Sequence, residues 1–574
     1  MGCDIAIRIG GQAGQGLNVL SGLIGKSCLR EGLWVFAFHD VMSRIRGGHN
    51  FSQLRISDTE RQAPSGRVDI LVCLDKNTLE LHGAETDGLI VYDSAQLPGG
   101  LPAGMRLLAV PLGELAKNAG GNAKMSNAVA AGAVLALAGL SLDRLLEVLG
   151  EMFSKKSTEV VEQNRSSARA GYDHVLQNYA EHVLEGVSGV PGTRRMLITG
   201  SEAFALGAIA SGIRFYSAYP MSPSTGVMEY LAARQKEYGL VVEQAEDEIA
   251  AINMAIGASF AGARAMTGTS GGGLALMVEG ISLAGMTETP VVILDAQRPA
   301  PATGFPTRTE QGDLLFVVNA GHGEFARAVF APGGARDAAE IVGKAFHLAE
   351  KYQTPVFVLG DQYLNDSSWT VERIDTREPS FARQGMLAED ELKRMAPYSY
   401  RRYALTASGV SPAILPGTPG QVSYADSDEH TEEGHITESA QIREQMVEKR
   451  LRKLEGLRAE MPPPCVFPDG KADLYLVGWG STLGILAEAT DLLRNKGMNA
   501  GYIHFTGVYP LRKDAIPDSV AQHARLIAVE NNARGQFASL LKSETGVVLR
   551  GIVGKYDGRP FTPDEVARRV EELK

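Results

Sequence analysis

An acidic cluster precedes a predicted helix in a stretch whose residue types suit a polar ligand. In EQAEDEIAAINMAIGASFAGARAMTGTSGGG, Glu246, Asp247 and Glu248 begin a helix of small residues, and a Thr-, Ser- and Gly-rich loop follows the next strand. A carboxylate at a helix N-terminus is stabilised by the helix dipole, so capping is the simplest role for Glu246 or Asp247. The loop carries Thr269 and Ser270 at a strand end, where α/β proteins bind ligands.

A second polar segment follows an earlier strand of the same region. The turn Tyr219-Pro220-Met221-Ser222-Pro223-Ser224-Thr225 contains two prolines, which fix the backbone. The turn would therefore hold its hydroxyl groups at the carboxyl end of a sheet, which is a common ligand position.

Two arginines are candidates for binding an anionic group of a ligand. Arg298 follows the predicted strand at 290–295, and Arg308 lies in the loop PTRTEQ that comes next. A guanidinium group can bind a carboxylate through two parallel hydrogen bonds. The alternative for either arginine is a surface ion pair with an acid such as Asp295 or Glu310.

A glycine-rich loop lies close to the start of the chain. A predicted strand at 4–9 leads into GGQAGQG at 10–16 and then into a helix, so backbone N–H groups can approach a phosphate or an amide. The spacing differs from the dinucleotide pattern, but Asp40 stands where a ribose-binding acid is expected, which keeps an NAD site as an alternative. Another alternative is a turn whose only role is to pack the helix on the strand. The segment Arg46-Gly47-Gly48-His49 suggests a second, substrate-facing loop.

The elements that would position these residues divide the chain into three α/β domains. Apolar runs alternating with helical patterns predict doubly wound or Rossmann-like layers, the first with a parallel sheet of about six strands. The boundaries that we predict are a first domain at 1–182, a linker at 183–195, a second domain at 196–365, a connecting arm at 366–470 and a third domain at 471–574.

Composition limits the class of protein. The 574 residues are 44% hydrophobic and carry a net charge of −11, so nucleic acid and anionic membranes are poor partners. Scattered cysteines, and the lack of a signal sequence or a long apolar run, predict a cytoplasmic protein with no iron–sulfur site of its own. The acidic stretch at 426–435 has metal-ligand residue types, but we expect it to be solvated or ion-paired, and we predict no metal ligands in this chain.

Several motifs, in order, resemble one enzyme family. Y-P-M-S-P-S-T, E-D-E-I-A-A-I-N-M-A, T-G-T-S-G-G-G, L-D-A-Q-R and P-T-R-T-E-Q-G-D-L resemble the α subunit of 2-oxoacid:ferredoxin oxidoreductases, in the form with a γ domain fused at the N-terminus. GGQAGQG and RGGHNFSQLRIS resemble that γ domain, and VGWGST with ENNARGQ resembles the transketolase C-terminal-like domain. The resemblance implies that the second domain binds the pyrimidine end of thiamin diphosphate.

The resemblance assigns roles to individual residues. Glu248 matches the glutamate that hydrogen-bonds the aminopyrimidine ring and activates the cofactor, and Arg298 matches the arginine that binds the substrate. The implied thiamin contacts are Tyr219, Pro220, Glu248, Thr269 and Ser270; the implied substrate contacts are Ser222, Arg298 and Arg308; and the implied coenzyme A contacts are Gly11, Gly14, Gln15 and Gly16.

One departure from thiamin enzymes predicts a partner. The magnesium-diphosphate run, G-D-G with an Asn pair about 25 residues later, is missing, because Gly360-Asp361 continues with Gln362. We therefore expect a β subunit that supplies Mg²⁺, the diphosphate site and a [4Fe-4S] cluster, in an (αβ)₂ assembly that reduces ferredoxin. The fused γ domain and SDEHTEEGHITE most resemble the 2-oxoglutarate enzymes; pyruvate or branched-chain enzymes and, less strongly, an NAD-dependent dehydrogenase are the alternatives.

Overall fold

The computed structural model describes residues 4–43, 47–95, 104–184, 187–190, 192, 194–376, 384–468 and 471–573. They form two compact units: the first runs to Ile198 and includes Asp366–Arg373 and Thr562–Glu565, and the second holds Thr199–Asn365, Ile374–Phe561 and the end of the chain. Arg46, Cys3 and parts of the predicted linker lie outside the described residues.

The strands of the described residues are β1 (Asp4–Ala13), β2 (Trp34–Asp40), β3 (Gly47–Ser57), β4 (Ile70–Cys73), β5 (Leu89–Tyr92), β6 (Arg106–Ala109), β7 (Arg195–Thr199), β8 (Phe215–Ala218), β9 (Val241–Gln244), β10 (Ala265–Thr269), β11 (Val291–Gln297), β12 (Ala328–Phe330), β13 (Pro355–Asp361), β14 (Ser368–Glu372), β15 (Cys465–Phe467), β16 (Leu474–Trp479), β17 (Ala500–Phe505), β18 (Gly507–Tyr509), β19 (Arg525–Glu530) and β20 (Gly551–Gly554).

Their helices are α1 (Leu17–Arg30), α2 (Lys76–His82), α3 (Leu112–Asn118), α4 (Ser126–Leu137), α5 (Leu142–Met152), α6 (Thr158–Asn178), α7 (Gly200–Ala210), α8 (Thr225–Tyr238), α9 (Glu248–Phe260), α10 (Gly271–Met286), α11 (Leu314–Asn319), α12 (Ala335–Tyr352), α13 (Gln362–Asp366), α14 (Glu389–Arg394), α15 (Ala440–Glu460), α16 (Leu483–Asn495), α17 (Asp518–His523), α18 (Gln536–Thr545) and α19 (Pro563–Glu572). None of these described helices combines the length and the apolar run that crossing a bilayer requires.

The first unit is built on a mixed sheet with the order β6-β5-β4-β1-β3-β2-β14-β7. Strands β1, β4, β5 and β6 are parallel, as predicted, but β3 is antiparallel to both β1 and β2. The prediction of a parallel sheet is therefore wrong for this half. The chain between Asp40 and Gly47 is too short for the crossover that parallel neighbours need, so β2 returns as the antiparallel β3.

The middle sheet of the second unit has the order β18-β12-β13-β11-β10-β8-β9 and is parallel except for β18. The strand predicted at 290–295 is present as β11. Strand β11 is buried along its whole length, as expected for a central parallel strand covered by helices on both faces. The carboxyl ends of β8, β10 and β11 therefore meet at one edge of the sheet.

The third sheet, β15-β17-β16-β19-β20, is joined to the middle sheet through Gln311. The Gln311 backbone N–H donates to Asn531 O (2.7 Å), its side-chain amide donates to Trp479 O (2.9 Å), and Asn532 Nδ2 donates to Gln311 O (3.1 Å). The motifs E-Q-G-D-L, V-G-W-G-S-T and E-N-N-A-R-G-Q thus contact one another within the second unit.

The acidic stretch at 426–435 is ion-paired, as predicted. Glu429 contacts Arg443 and Arg450 of α15, and Arg401 contacts Glu432 and Glu433. The described residues contain no group of three or more His, Cys, Asp or Glu side chains that could hold a metal ion.

A fully buried ionic cluster fixes α15 to the end of α10. Glu288 Oε1 lies 2.6 Å from Lys449 Nζ, and its Oε2 lies 2.5 Å from Lys453 Nζ. Arg402 donates to the carbonyl groups of Thr287 and Glu288. The nearby cations hold the pKa of Glu288 at about 2, although burial alone would raise it.

We expect Glu288→Gln to destabilise the second unit by about 3–5 kcal/mol, because it leaves two buried lysines without their counter-charge. Thermal unfolding of the full chain would measure this as a lowered Tm. Glu279→Gln, which changes an exposed acid of α10, is the matched control. An unchanged Tm for Glu288→Gln would show that the cluster contributes little to stability.

Candidate active site

The polar segments predicted from the sequence lie at the ends of three neighbouring strands. Ser217 of β8 pairs with Thr267 of β10, and Thr269 of β10 pairs with Asp295 of β11. Because these strands are parallel, the segments that follow them emerge at the same edge. Tyr219 is exposed and Pro220 is half-buried in the turn after β8.

Glu248 is the first residue of α9, and its carboxyl group is buried. Asp247, one residue earlier, is the cap: its Oδ1 accepts from Ala250 N at 2.8 Å. Glu248 is therefore free of the capping role. Only 3% of it is exposed, and its Oε1 has no hydrogen-bond partner within the described structure.

The start of α10 lies directly beside Glu248. A Cβ atom added to Gly273 would collide with Thr269 Oγ1 and Glu248 Oε1, so this position requires glycine. Ser270 is the N-cap residue of α10, yet its hydroxyl forms no cap hydrogen bond, is buried, and has no partner among the residues described. The structure thus brings together three of the predicted thiamin contacts, Glu248, Thr269 and Ser270.

The pKa of Glu248 is raised above its ordinary value. Burial is the largest cause, the backbone N–H of Glu248 acts in the opposite direction, and the charge of Asp247 adds to the increase. Burial therefore outweighs the helix N-terminus, a balance that sequence could not determine. A carboxyl group with a raised pKa and an unpartnered oxygen is suited to hold or exchange a proton at Oε1.

Arg298 comes directly after β11 and is 8% exposed. Its Nη1 donates to the Ser222 carbonyl at 2.7 Å, so the structure joins two predicted substrate contacts, although through the backbone of Ser222. Burial lowers the pKa of Arg298, and the charge of Asp313 partly offsets this. Among the described side chains, Arg298 forms no ion pair with Asp295 or Glu310. The described structure therefore lacks the ion pair that was the alternative to substrate binding by Arg298.

Arg308 has different surroundings. It lies in the loop between β11 and α11. A Cβ atom added to Gly558 would lie 3.1 Å from the Cβ of Arg308, and the backbone N–H of the next residue, Thr309, donates to Gly558 O at 3.1 Å. Arg308 is therefore placed against the loop that follows β20, whereas Arg298 lies at the strand ends.

Three carboxyl groups come from the segment around Arg298, and the sequence suggested only ion pairing for Asp295 and Glu310 and no role for Asp313. Asp295 and Asp313 are buried, Glu310 is half-buried, and Asp313 N donates to Gln297 Oε1 at 3.0 Å. Burial raises the pKa of Asp313 to about 6 and that of Glu310 to about 7. These residues belong to the motifs L-D-A-Q-R and T-E-Q-G-D-L, but their spacing in the sequence did not predict that they would lie in one region of the fold.

Asp361, of the Gly360-Asp361 pair, is a buried structural acid. It accepts from the Ser481 hydroxyl and from Leu364 N at 2.8 Å. Burial raises its pKa to about 6. The hydrogen bond from Ser481 connects the end of β13 to the turn that follows β16.

The N-terminal glycine loop lies in the first unit. Gly11 belongs to β1, which runs on to Ala13, while Gly14 and Gly16 adopt φ angles of 94° and 77° that favour glycine. Gln15 accepts from Gln12 N at 2.6 Å and donates to Leu74 O at 3.2 Å. Gly16 is the N-cap residue of α1, and a Cβ on Gly14 would meet no atom of the described residues within 4 Å, so the described structure leaves open space beside Gly14.

The second glycine segment lies next to this loop. Gly47 pairs with Ala13 at the start of β3, and His49 Nε2 lies 2.8 Å from His82 Nε2. The position of β3 in the sheet also argues against the NAD alternative. Asp40 ends β2, but β3 lies between β2 and β1, so Asp40 is not on the strand next to the glycine loop.

Three family profiles match the chain. Residues 206–449 match the family described as pyruvate flavodoxin/ferredoxin oxidoreductase, thiamine diphosphate-binding; residues 6–174 match pyruvate ferredoxin/flavodoxin oxidoreductase; and residues 467–547 match the transketolase C-terminal domain. These matches confirm the predicted class of three α/β domains.

Relatives extend over nearly the whole chain. A 2-oxoacid:ferredoxin oxidoreductase α subunit from a Sulfolobus species is 32% identical and covers 97% of this chain and 95% of its own. A 2-oxoglutarate oxidoreductase subunit, KorA, from Mycobacterium tuberculosis is 27% identical, over 99% of this chain and 91% of its own. The solved 2-oxoglutarate:ferredoxin oxidoreductase of Magnetococcus marinus superposes with a TM-score of 0.92 at 31% identity, covering 99% of both chains. This chain belongs to the family of 2-oxoacid:ferredoxin oxidoreductase α subunits.

Proposed function

We propose that this chain oxidises 2-oxoglutarate with coenzyme A to succinyl-CoA and CO₂, reversibly, and reduces ferredoxin together with a β subunit. The observation that carries the proposal is the buried Glu248 carboxyl group beside the glycine-rich start of α10, whose Oε1 has no hydrogen-bond partner among the described residues. Preference for 2-oxoglutarate is supported by the KorA relative and by the Magnetococcus marinus structure, which has 2-oxoglutarate, coenzyme A and succinyl-CoA bound.

The residues at the strand ends fit thiamin diphosphate. Glu248 Oε1 and Ser270 Oγ are buried polar atoms that need a partner, and Gly273 keeps the space between helix and carboxylate clear. We assign Tyr219, Pro220, Thr269 and Ser270 to the same cofactor. When bound, thiamin diphosphate supplies the electron sink that cleavage of a 2-oxo acid requires.

The side chains of this chain have separate tasks in the proposed reaction. Glu248 holds or accepts a proton at Oε1, and burial, by raising the pKa of this carboxyl group, favours its protonated form. Arg298 binds the carboxylate of the 2-oxo acid, and its hydrogen bond to the Ser222 carbonyl fixes the guanidinium group. We assign the Ser222 hydroxyl to the same substrate.

A β subunit completes the enzyme in this proposal. It supplies the diphosphate and Mg²⁺ site and the [4Fe-4S] cluster, because this chain has neither the magnesium run nor suitably spaced cysteines. We propose an (αβ)₂ assembly.

Co-purification tests the proposal. The chain would be co-expressed with the β subunit encoded by the same organism, and thiamin, iron and viologen-dye reduction would be measured with coenzyme A and 2-oxoglutarate, pyruvate or a branched-chain 2-oxo acid. We expect bound thiamin and iron, and the fastest reduction with 2-oxoglutarate. Faster reduction with pyruvate or a branched-chain acid would assign another substrate, and NAD reduction without the β subunit would favour a dehydrogenase.

We propose that Gly11, Gly14, Gln15 and Gly16 contact coenzyme A, because the start of α1 offers backbone N–H groups beside open space. Gly14→Ala should raise the KM for coenzyme A, since the new Cβ occupies that space. The backbone strain of a non-glycine residue at positive φ, about 1–2 kcal/mol, must be separated from this effect.

Gly497→Ala is the matched control, because Gly497 also has a positive φ, 86°, with open space around its Cβ, but lies before β17. Steady-state kinetics with varied coenzyme A would measure both variants. An equal change in the two would assign the glycine loop a structural role only.

A further inference from the structure

Two buried aspartates near the end of β11 have carboxyl oxygens that accept no hydrogen bond from the described residues. Asp295 is fully buried, and neither of its carboxyl oxygens has a partner within the described residues; Asp313 is 8% exposed, and its Oδ2 also has none. An ionised carboxylate that is buried without a donor is strongly unfavourable, and two neighbouring ones more so. The arrangement therefore requires a proton.

The neighbouring polar groups are committed elsewhere. Gln297 Nε2 donates to Gly360 O at 3.0 Å and its Oε1 accepts from Asp313 N, while Thr269 Oγ1 donates to Ser270 O at 3.3 Å. On the other side, a Cβ on Gly271 would lie 2.5 Å from Asp313 Oδ2, so the Asp313 carboxylate packs on the first turn of α10.

Among the described residues, few charged groups face the pair. Arg298 is the cation next to Asp313, and Glu310 is the further acid whose pKa responds to Asp313. Strands β10 and β13 contribute Thr269 and Leu359 at the level of Asp295, neither of them charged. From α9, Glu248 lies on the side of Thr269 and Gly273.

We propose that Asp295 and Asp313 share one proton, so that the pair presents a single negative charge that positions the Arg298 guanidinium for the carboxylate of the 2-oxo acid. With two charges the pair would hold Arg298 more strongly and repel the substrate. The two aspartates are positioning residues, and their action on Arg298 rests on the function proposed above.

The contribution of the two aspartates to stability changes with pH in a definite direction. Burial, with the charge of Asp313, raises the pKa of Asp295 well above its ordinary value, and burial raises that of Asp313 to about 6 despite Arg298. Both carboxyl groups thus bind protons more readily in the fold than in the unfolded chain. Their contribution to stability is complete below the ordinary pKa of aspartate and is lost as the pH rises through the raised values.

Two variants of the αβ complex test the pair. Asp295→Asn keeps a neutral side chain that can donate to Asp313, and Asp295→Leu keeps a similar volume without a donor. Infrared spectra of protein labelled with ¹³C-aspartate should show a protonated carboxyl band at neutral pH that shifts in D₂O and is absent in Asp295→Asn.

Kinetics then test the link to Arg298. Asp295→Asn should keep kcat/KM for the 2-oxo acid within about threefold and lose less activity than wild type as the pH is raised. Asp295→Leu should raise the KM for the 2-oxo acid about ten- to a hundredfold, with the KM for coenzyme A unchanged, because a donor to a buried charge is lost. Size-exclusion chromatography and thiamin content would check that each variant assembles.

A missing protonated band in wild type, or its persistence in Asp295→Asn, would overturn the shared proton. A wild-type KM for the 2-oxo acid in an assembled Asp295→Leu complex would overturn the positioning of Arg298. If wild type reduced no dye with any 2-oxo acid, the proposed function would fail, and with it the action on Arg298, whereas the infrared band would still decide whether the pair holds a proton.

Discussion

Glu248→Gln should reduce kcat roughly 100- to 10,000-fold, the range that a positioned proton-transfer group contributes. Glutamine has nearly the same shape and can fill the same space beside Thr269 and Gly273, but it cannot accept or release the proton that Glu248 holds at Oε1. Folding and assembly should be unaffected, because Oε1 has no partner within the described part of this chain.

Single-turnover reduction of the cluster in the assembled complex would measure the loss, and the Tm would verify the fold. Glu246→Gln, which changes an exposed acid two residues earlier, should keep wild-type activity. Near-wild-type turnover in Glu248→Gln would remove Glu248 from the mechanism.

Arg298→Lys should lower kcat/KM for the 2-oxo acid roughly 30- to 1000-fold. Lysine keeps the charge but loses the planar pair of donors, and losing one partner of a buried charge pair costs about 2–4 kcal/mol. The effect should appear at subsaturating 2-oxo acid, with the KM for coenzyme A little changed.

Arg308→Lys is the comparison, because Arg308 lies beside Gly558 instead of at the strand ends. We expect it to be the milder variant when initial rates are measured over a range of 2-oxo acid concentrations. A loss of less than about threefold for Arg298→Lys, with a far larger loss for Arg308→Lys, would reverse the two roles.

The middle domain was the most predictable part of the fold. Its strands are central and parallel, so their sequences are continuous apolar runs, and the polar residues that follow them had to meet at one edge. For the same reason, the neighbourhood of Glu248, Thr269 and Ser270, and the position of Arg298 near the turn that contains Ser222, followed from the order of motifs.

Features that depend on contacts distant in sequence were not predictable. Strand β14 was absent from our prediction because its five residues pair with β2. The role of Gln311 at the third sheet depends on Trp479 and Asn531, and the hydrogen bond from Asp313 N to Gln297 depends on how the loop after β11 folds back. No local sequence pattern predicts contacts between residues so far apart in the chain.

Strand β14 also has a consequence for synthesis on the ribosome. Thr370 Oγ1 donates to Val35 O at 2.7 Å, across 335 residues of sequence. At a synthesis rate of about 5–20 residues per second, roughly 20 to 70 seconds pass between the synthesis of β2 and that of β14. During this time the edge of β2 is unpaired, and an unpaired strand edge is a template for association with other chains. The N-terminal sheet, although translated first, is completed only after the ribosome has passed the whole thiamin-type domain.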